Sequence, residues 1–381
     1  MAKLGDIATY INGYAFKPSD WSTEGLPIIR IQDLTGSSYK TNKYNGDYDK
    51  KYEVNNGDIL ISWSASLGVF VWKNDKAVLN QHIFKVIFNK KVVDKDFFVY
   101  QVENILRKAQ NSVHGATMKH LTKPVFDSLD FYLPLIEEQK RIAKQLKLIN
   151  LLIDHRNDQI KKLDLLVKSR FIEMFGDPYY NPKGWKSDYL GNYMTTLTDF
   201  SANGSYEILD SNVVMYDEPN YAIMVRTTDL EKGDLTGELK YIDEKAYNLL
   251  SKSKLYGGEL IMSKIGSAGK IYLMPFINKP ASLGRNAFMF RFNECINIVF
   301  LYTLLNTDYG TNMIQQHVRG AVTKTITKES TRKLLIYVPP IELQNQFADF
   351  VAQVDKSKLA IQQSLYELET LKKSLMQQYF G

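Results

Sequence analysis

The chain has 381 residues, of which 44% are hydrophobic and 24% charged, with a net charge of +6. This composition is typical of a globular protein with two or three domains and excludes a disordered or collagen-like chain. The single cysteine, Cys295, excludes an internal disulfide and favours a reducing compartment. No apolar run approaches the ~20 residues that span a bilayer, and the first six residues lack the apolar region of a signal peptide. We therefore expect a cytoplasmic protein.

The chain repeats itself. The sequence VHGATMK at 113–119 returns 205 residues later as VRGAVTK at 318–324. The same interval relates YLPLIE at 132–137 to YVPPIE at 337–342, and Phe175-Gly176 to Phe380-Gly381. A chain of two similar halves predicts a pseudo-twofold arrangement, which suits a target with two related half-sites, DNA above all.

Each half begins with a region of mixed α/β character. β-branched and apolar runs between turn residues predict strands in the first half at 27–31, 58–63, 69–72 and 83–88. Their counterparts in the second half are at 222–226, 259–263, 270–273 and 287–292. A helical stretch follows each set, at 96–110 and at 298–316.

Each half ends in a long helical segment. From Ile142, and again from Phe347, apolar residues recur at steps of three and four, which is the seam of a coiled coil. Pro134 and Pro339 precede these segments, where a helix tolerates proline. We predict that helices 136–175 and 342–380 pair in antiparallel fashion within one chain. The alternative is that each helix packs only on its own globular lobe.

These patterns predict an α+β protein with two similar mixed α/β lobes and two long helices that form an intramolecular antiparallel coiled coil. The expected divisions are a first lobe at 1–135, a central helix at 136–176, a second lobe at 177–341 and a C-terminal helix at 342–381. Basic and acidic residues are interspersed throughout, so charge alone does not predict binding to nucleic acid.

No catalytic motif emerges from the sequence. The run from Gly266 to Lys270 resembles a phosphate-binding loop but has the wrong spacing, and the five histidines are scattered. Asp177-Pro178-Tyr179-Tyr180 resembles the Asp/Asn-Pro-Pro-Tyr motif of amino-methyltransferases but lacks its second proline. A turn at the end of a helix explains this run better. We expect no catalytic residue, no metal site and no cofactor in this chain.

Several motifs resemble those of a known family. They are NGYAFK at 12–17, GLPIIRI at 25–31, GDILIS at 57–62, LNQHIF at 79–84 and LPLIEEQKRI at 133–142. In this order and in duplicate, they resemble the specificity (S) subunit of type I restriction-modification enzymes across essentially the whole chain. The second half departs at Leu343, where the first has Glu138, and 199–204 barely resembles the region 13–21.

The resemblance implies two target recognition domains, each reading one half of a split, asymmetric stretch of double-stranded DNA. It implies that the helices set the spacing and dock two methyltransferase (M) subunits, and that two restriction (R) subunits can join them. The chain would be non-catalytic within a DNA adenine methyltransferase and ATP-dependent endonuclease. S-adenosylmethionine would belong to the M subunits and ATP with Mg²⁺ to the R subunits. The alternative function is a non-catalytic, two-lobed coiled-coil scaffold that binds protein partners.

Comparison of the two halves suggests which residues contact DNA. Residues shared by both halves suit common tasks such as phosphate contact, whereas residues that differ at equivalent loop positions suit base reading. The shared candidates are Arg30 and Arg226, Ser62 and Ser263, and Lys119 and Lys324. The differing candidates are Trp63 and Lys264, Gln81 and Arg285, His82 and Asn286, His114 and Arg319, and His120 and Thr325.

Four of these candidates have a structural alternative. Arg30 and Arg226 could instead pair with Asp33 and Asp229 across a turn. Trp63 could belong to the core, and His82 could be a structural histidine.

Overall fold

The structure, a computed structural model, describes residues 1–111, 121–233, 235 and 237–381. Its contacts divide the chain into two compact units. The first comprises Met1–Asp158 and Ile361–Gly381, and the second Gln159–Ala360. Each unit therefore holds one lobe and part of both long helices.

The strands of the first unit are β1 (Ala2–Lys3), β2 (Thr9–Asn12), β3 (Leu26–Ile29), β4 (Lys43–Tyr44), β5 (Glu53–Val54), β6 (Ile59–Ser62), β7 (Gly68–Val71), β8 (Ala77–Leu79), β9 (Ile83–Ile87) and β10 (Asp130–Phe131). Those of the second are β11 (Ser187–Tyr189), β12 (Met194–Asp199), β13 (Ala222–Val225), β14 (Lys240–Ile242), β15 (Lys254–Leu255), β16 (Leu260–Ser263), β17 (Ile271–Leu273), β18 (Ala281–Leu283), β19 (Ala287–Phe292) and β20 (Leu335–Tyr337). The eight strands predicted from sequence correspond to β3, β6, β7, β9, β13, β16, β17 and β19.

The helices that begin in the first unit are α1 (Leu4–Ile7), α2 (Ile31–Leu34), α3 (Lys95–Asn111), α4 (Lys123–Ser128) and the long α5 (Ile136–Phe175). Those that begin in the second are α6 (Tyr206–Asn212), α7 (Thr227–Lys232), α8 (Glu244–Leu249), α9 (Ile298–Leu305), α10 (Asp308–Gln316), α11 (Lys328–Arg332) and the long α12 (Ile341–Phe380). Among the described residues, no helix is both long enough and apolar enough to cross a membrane.

The two lobes have the same strand order. The first contains the sheets β2-β9-β6-β7, β4-β3-β8-β5 and β1-β10, and the second contains β12-β19-β16-β17, β14-β13-β18-β15 and β11-β20. In both lobes a parallel pair joins equivalent strands, β3 with β8 and β13 with β18. The repeat seen in the sequence is therefore a repeat of the fold, and residues of the two lobes can be compared strand by strand.

The long helices pair in antiparallel fashion in the first unit. The Tyr379 hydroxyl donates to Gln145 Oε1 at 2.6 Å, and Arg156 Nε donates to Ser364 Oγ at 3.2 Å. Residue numbers along α12 decrease as those of their partners along α5 increase, so the two helices run in opposite directions. Ile142 and Phe380 lie in the same buried cluster as the first lobe, so the seam also covers the lobe.

The second unit shows the same pairing with other residues. The rings of Phe171 and Phe347 lie 5.5 Å apart, and the Arg170 guanidinium lies 5.7 Å from the ring centre of Phe350. Lys358, which interrupts the apolar seam, pairs with Asp164 of α5. The predicted antiparallel pairing is confirmed, and the packing of each helix on a lobe accompanies it.

A buried glutamine joins each long helix to its lobe. Gln139 accepts from the main-chain N–H of Asp94 at 2.9 Å and donates to the Pro134 carbonyl at 2.8 Å. Gln344 makes the same bonds with Asn297 and Pro339, at 2.9 and 2.8 Å. The two glutamines are only 1% and 0% exposed, so these bonds form in a low-dielectric interior, where loss of a partner is costly. They connect the first turn of each long helix to the segment that starts α3 or α9.

The predicted helix 298–316 is wrong in one respect, because the structure has two helices there. Asn306 and Thr307 separate α9 from α10. The Thr307 hydroxyl accepts from the N–H of Gly310 at 3.1 Å, which caps the N-terminus of α10. A threonine that caps a new helix ends the preceding one, a signal that apolar periodicity does not register.

The antiparallel pairing predicts a specific crosslink. With Cys295 replaced by serine, cysteines at positions 145 and 379 should be joined within one chain by a short bis-maleimide, because the native side chains touch. The matched control is a pair at 145 and 364. Position 364 lies 15 residues from 379 along the helix, or ~22 Å at 1.5 Å per residue, so this pair should not react within the chain. Mass spectrometry of the monomer band checks both, and exclusive crosslinking between chains would refute the pairing.

Candidate nucleic-acid interface

Three loops meet at one end of the second lobe. The Lys264 N–H donates to the Asn286 carbonyl at 2.8 Å, which ties the β16–β17 loop to the β18–β19 loop. The N–H of Ile326 donates to the Lys264 carbonyl at 3.2 Å, and that of Gly266 to the Lys324 carbonyl at 3.0 Å. These main-chain bonds bring the segment between α10 and α11 onto the same surface. Predicted site residues that are far apart in sequence are therefore neighbours here.

The first lobe has the same junction. The Trp63 N–H donates to the His82 carbonyl at 3.2 Å, and the N–H of Leu121 donates to the Trp63 carbonyl at 2.9 Å. These bonds correspond one for one to those of Lys264. His114, Lys119 and His120, which were predicted to contact DNA, lie outside the described residues, so their roles remain predictions.

Trp63 and Lys264 occupy equivalent positions but have different partners. Trp63 Nε1 donates to Asn12 Oδ1 at 3.1 Å, whereas Lys264 Nζ donates to Asp199 Oδ2 at 3.2 Å. Asn12 and Asp199 are themselves equivalent, because they pair across the sheet with Phe84 and Phe288. A neutral donor and acceptor in one lobe are thus replaced by a cation and an anion in the other.

The aromatic ring beneath this pair is retained. Trp63 stacks on Phe84 with ring centres 5.6 Å apart, and the Lys264 ammonium lies 5.7 Å from the ring centre of Phe288. Trp63 therefore packs against the core, as the structural alternative proposed, while its side chain remains partly exposed. The difference between Trp63 and Lys264 follows from their local partners and does not require a difference in the bases read.

Asp199 holds a second lysine. Lys328 Nζ donates to Asp199 Oδ1 at 2.7 Å, and the Asp199 side chain is only 9% exposed. Burial by itself raises the pKa of the Asp199 carboxyl, but the hydrogen bonds and charges of Lys328 and Lys264 outweigh it and hold that pKa below its ordinary value. Asp199 is therefore ionised at neutral pH.

The shared serines lie inside the lobes. Ser62 and Ser263 are 0% and 1% exposed. The Ser62 hydroxyl donates to the Ser66 carbonyl and the Ser263 hydroxyl to the Ile265 carbonyl, the latter at 3.3 Å. Each closes the turn that follows a central strand. In this conformation the buried hydroxyls stabilise the loops by binding their main-chain carbonyls, and they are not accessible to a ligand.

The shared arginines form the ion pairs that the sequence left open as an alternative. Arg30 Nε donates to Asp33 Oδ2 at 3.0 Å, and Arg226 Nη2 to Asp229 Oδ1 at 2.6 Å. Arg30 also reaches the Lys40 carbonyl at 2.6 Å. Both arginines thereby fix the loops that follow β3 and β13, which gives them a structural role independent of DNA.

Four of the differing candidates lie on the β8–β9 and β18–β19 loops. Gln81 and His82 are partly exposed, and Asn286 is exposed. His82 adopts a φ of +71°, which is uncommon for a residue with a side chain. Arg285 binds Asp210 through both terminal nitrogens at 3.2 Å and covers the Phe200 ring, so its guanidinium already has partners within the lobe.

The segment between α10 and α11 presents two exposed candidates, Arg319 and Lys324. Arg319 and Thr325 exchange main-chain hydrogen bonds of 2.9 and 2.8 Å, which close a turn containing Gly320 at a φ of +100°. Arg319 and Lys324 are exposed, and Arg319 Nη1 also donates to the Gln316 carbonyl at the end of α10. A cavity of about 320 Å³ opens beside Lys324.

The glycine-rich run from Gly266 to Lys270 forms part of this cavity. The N–H of Gly269 donates to the Ser263 carbonyl at 2.9 Å and that of Lys270 to Ser267 at 3.1 Å. Lys270 Nζ binds Glu231. These donors serve the turn, unlike the free N–H groups of a phosphate-binding loop. Within the described part of the chain, no group of His, Cys, Asp and Glu is arranged to hold a metal ion.

The sequence reasoning missed Asn12, Asp199 and Lys328. One signal was available. Lys264 directly follows a strand that is buried at every residue, and a lysine there needs a counter-ion. A search for an acid at the end of a neighbouring strand would have found Asp199.

The ion cluster predicts how acid affects the second lobe. Asp199→Asn should lower its free energy of unfolding by about 1–3 kcal/mol at neutral pH, because two charge-assisted hydrogen bonds weaken. Since the folded-state pKa is depressed, this stabilisation is present above the unfolded pKa of about 3.9 and lost as pH falls through the folded value. The gap between wild type and variant should therefore narrow below about pH 4. Hydrogen exchange of the main-chain amides in β12, β16 and β19, followed as a function of pH, measures this difference in the free energy of unfolding.

Asp210→Asn is the matched control. Its partner Arg285 is also a cation, but the Asp210 side chain is 52% exposed, and exposed ion pairs contribute about 0–1 kcal/mol. Equal losses for the two variants would show that burial of Asp199 does not determine its contribution.

A family model and individual relatives point to the same protein family. The model of the type I restriction modification DNA specificity domain matches residues 1–165 and 191–370. The EcoBI specificity subunit of Escherichia coli is 20% identical over 410 residues, covering 99% of this chain and 84% of that protein. The MjaVIII specificity subunit of Methanocaldococcus jannaschii is 24% identical over 388 residues, covering 99% and 90%.

Two solved structures share the fold. The type I restriction-modification S subunit from M. genitalium superposes with a TM-score of 0.56 at 14% identity, covering 98% of this chain and 94% of that one. A chain from work on complex assembly and conformational transition of the type I R-M system has a TM-score of 0.57 at 15% identity, covering 100% and 96%. With two matched copies of the family domain along nearly its whole length, this chain belongs to the DNA specificity subunits of type I restriction-modification systems.

Proposed function

We propose that each lobe reads one half of a split, asymmetric DNA target, and that the paired helices set the distance between the half-sites and dock two methyltransferase subunits. One observation carries the proposal. The two lobes share a strand order and a loop junction, yet differ in the side chains that the junction presents. A common frame with different loop residues suits two readers of different sequences, because base edges are read by side chains.

The chemistry of the assembly belongs to the partners. We propose that the methyltransferase subunits bind S-adenosylmethionine and methylate adenine. Restriction subunits, where present, would use ATP and Mg²⁺ for cleavage. This chain would supply the sequence selectivity without a catalytic group. A two-lobed scaffold for other proteins is the competing function, and it predicts no dependence on DNA sequence.

Modular reading predicts the result of a lobe exchange. Replacing residues 1–133 with the matching region of a relative should change one half-site and leave the other unchanged, because each lobe has its own sheets and loops. Mapping methylated adenines in DNA treated with the assembled complex measures both half-sites. The reciprocal exchange of the second lobe is the control and should change the other half-site. If either exchange altered both half-sites, independent reading would be refuted.

Lys324 and Arg319 should behave differently when truncated. Lys324→Ala should weaken binding of the assembled complex equally for all sequences and reduce the salt slope by about one, as expected for a lost phosphate contact. Arg319→Ala should relax preference at one base pair of the second half-site, because a lost bidentate base contact costs about 1–3 kcal/mol of discrimination. Methylation rates across single-base target variants at fixed salt separate the two. A uniform loss for Arg319→Ala would make it a phosphate contact.

A further inference from the structure

At the loop junction of the second lobe, two lysine side chains bind one buried carboxylate. The ammonium groups of Lys264 and Lys328 lie 3.2 and 2.7 Å from the two oxygens of Asp199. The same ammonium groups lie 5.7 and 6.0 Å from the ring centre of Phe288. The lysine side chains are 19% and 33% exposed. Both ammonium groups therefore bind a buried acid and lie near an aromatic face, while the lysine side chains stay partly exposed.

Among the residues that the structure describes, the first lobe has no such cluster at the equivalent place. Asn12 and Trp63 form a neutral hydrogen bond there. Lys123, the counterpart of Lys328 in the repeat, pairs with Asp127 one turn along its own helix at 2.5 Å. The Asp199–Lys264 ion pair thus corresponds to a neutral pair in the first lobe, and the counterpart of Lys328 binds a different acid there.

We propose that Asp199 is a positioning residue that withholds Lys264 and Lys328 from DNA phosphates and thereby limits sequence-independent binding by the second lobe. This rests on the proposed function, in which the loop junction faces DNA. A lysine that reaches the backbone neutralises phosphate whatever the sequence, so it adds affinity for every competing site. Because specificity is a difference between affinities, holding such lysines back improves discrimination.

The geometry favours withholding over presentation. A carboxylate that aimed its lysines at DNA would leave their ammonium groups on the outer surface. Here both ammonium groups bind Asp199, whose side chain is 9% exposed, and both lie near the Phe288 ring. A phosphate would have to compete with an ionised, buried carboxylate for each lysine. Lys264 was predicted from sequence to contact DNA. In this proposal it instead stays bound to Asp199.

The test measures the salt dependence of binding to a random-sequence duplex by the full chain assembled with its methyltransferase subunits. In Asp199→Asn the logarithm of affinity should fall more steeply with the logarithm of salt, by about 0.9 for each lysine released. The ratio of the affinity for the sequence that the complex methylates to the affinity for the random duplex should fall as well. A purely structural role for Asp199 would weaken binding without a steeper slope, so an unchanged slope overturns the proposal.

A second variant does not depend on how well Asp199→Asn folds. Lys328→Gln in the wild-type background keeps the Asp199–Lys264 pair and should leave the slope nearly unchanged, because Lys328 is withheld. In the Asp199→Asn background the same substitution should lower the slope by about 0.9. If Lys328→Gln alone lowers the slope by that amount, Lys328 contacts phosphate in the wild type and the inference is wrong.

The two hypotheses fail in different ways. If the wild-type complex shows no sequence preference in DNA binding, the proposed function fails. If wild type is selective and the Asp199 and Lys328 variants do not behave as stated, only the inference about withheld lysines fails.

Discussion

The seam of the two long helices is the constraint on which the rest of the structure depends. Each helix has 40 residues, which is ~60 Å at 1.5 Å per residue, and a narrow apolar seam on so long a helix must be covered. In each unit the other helix covers part of the seam, and the lobe covers the end of it through residues such as Ile142 in the first unit and Phe347 in the second. At Lys358, where the seam is interrupted, Asp164 of the opposing helix supplies a counter-charge. The lobes are consequently built onto the helices and share their cores.

The sequence predicted the large features because each has a strong periodic signal. The long helices follow from apolar steps of three and four, and the repeat follows from similar runs such as those containing Gly115 and Gly320. The break between α9 and α10 escaped, because one capping threonine, Thr307, decides it. Of the other strands that were missed, β4, β5 and β8 have a physical explanation. They are two or three residues long, too short for an alternating pattern to appear.

Predicting the candidate interface from sequence was harder, because contacts between distant segments decide the role of each residue. Comparing the halves identified positions that do lie together, among them Lys264, Asn286, Lys324 and Thr325. It could not tell why they differ. Trp63 and Lys264 differ together with Asn12 and Asp199, which are 51 and 65 residues away from them in the chain. A difference between repeats can therefore record a local change of partner, and only the fold shows which partner that is.

The glutamines at the start of the long helices have one further consequence. Within the part of the chain that the structure describes, Gln139 and Gln344 bind only main-chain N–H and carbonyl groups. Every residue has a main-chain carbonyl and every residue except proline has an N–H, so a lobe could change nearly all its side chains and still present the same hydrogen-bonding groups to the helix. The attachment of the lobe to the helix therefore does not depend on the lobe's side chains. The opposite end of the lobe consists of loops whose side chains differ between the two lobes. A molecule of this design can acquire new surface chemistry at one end without redesigning its attachment at the other.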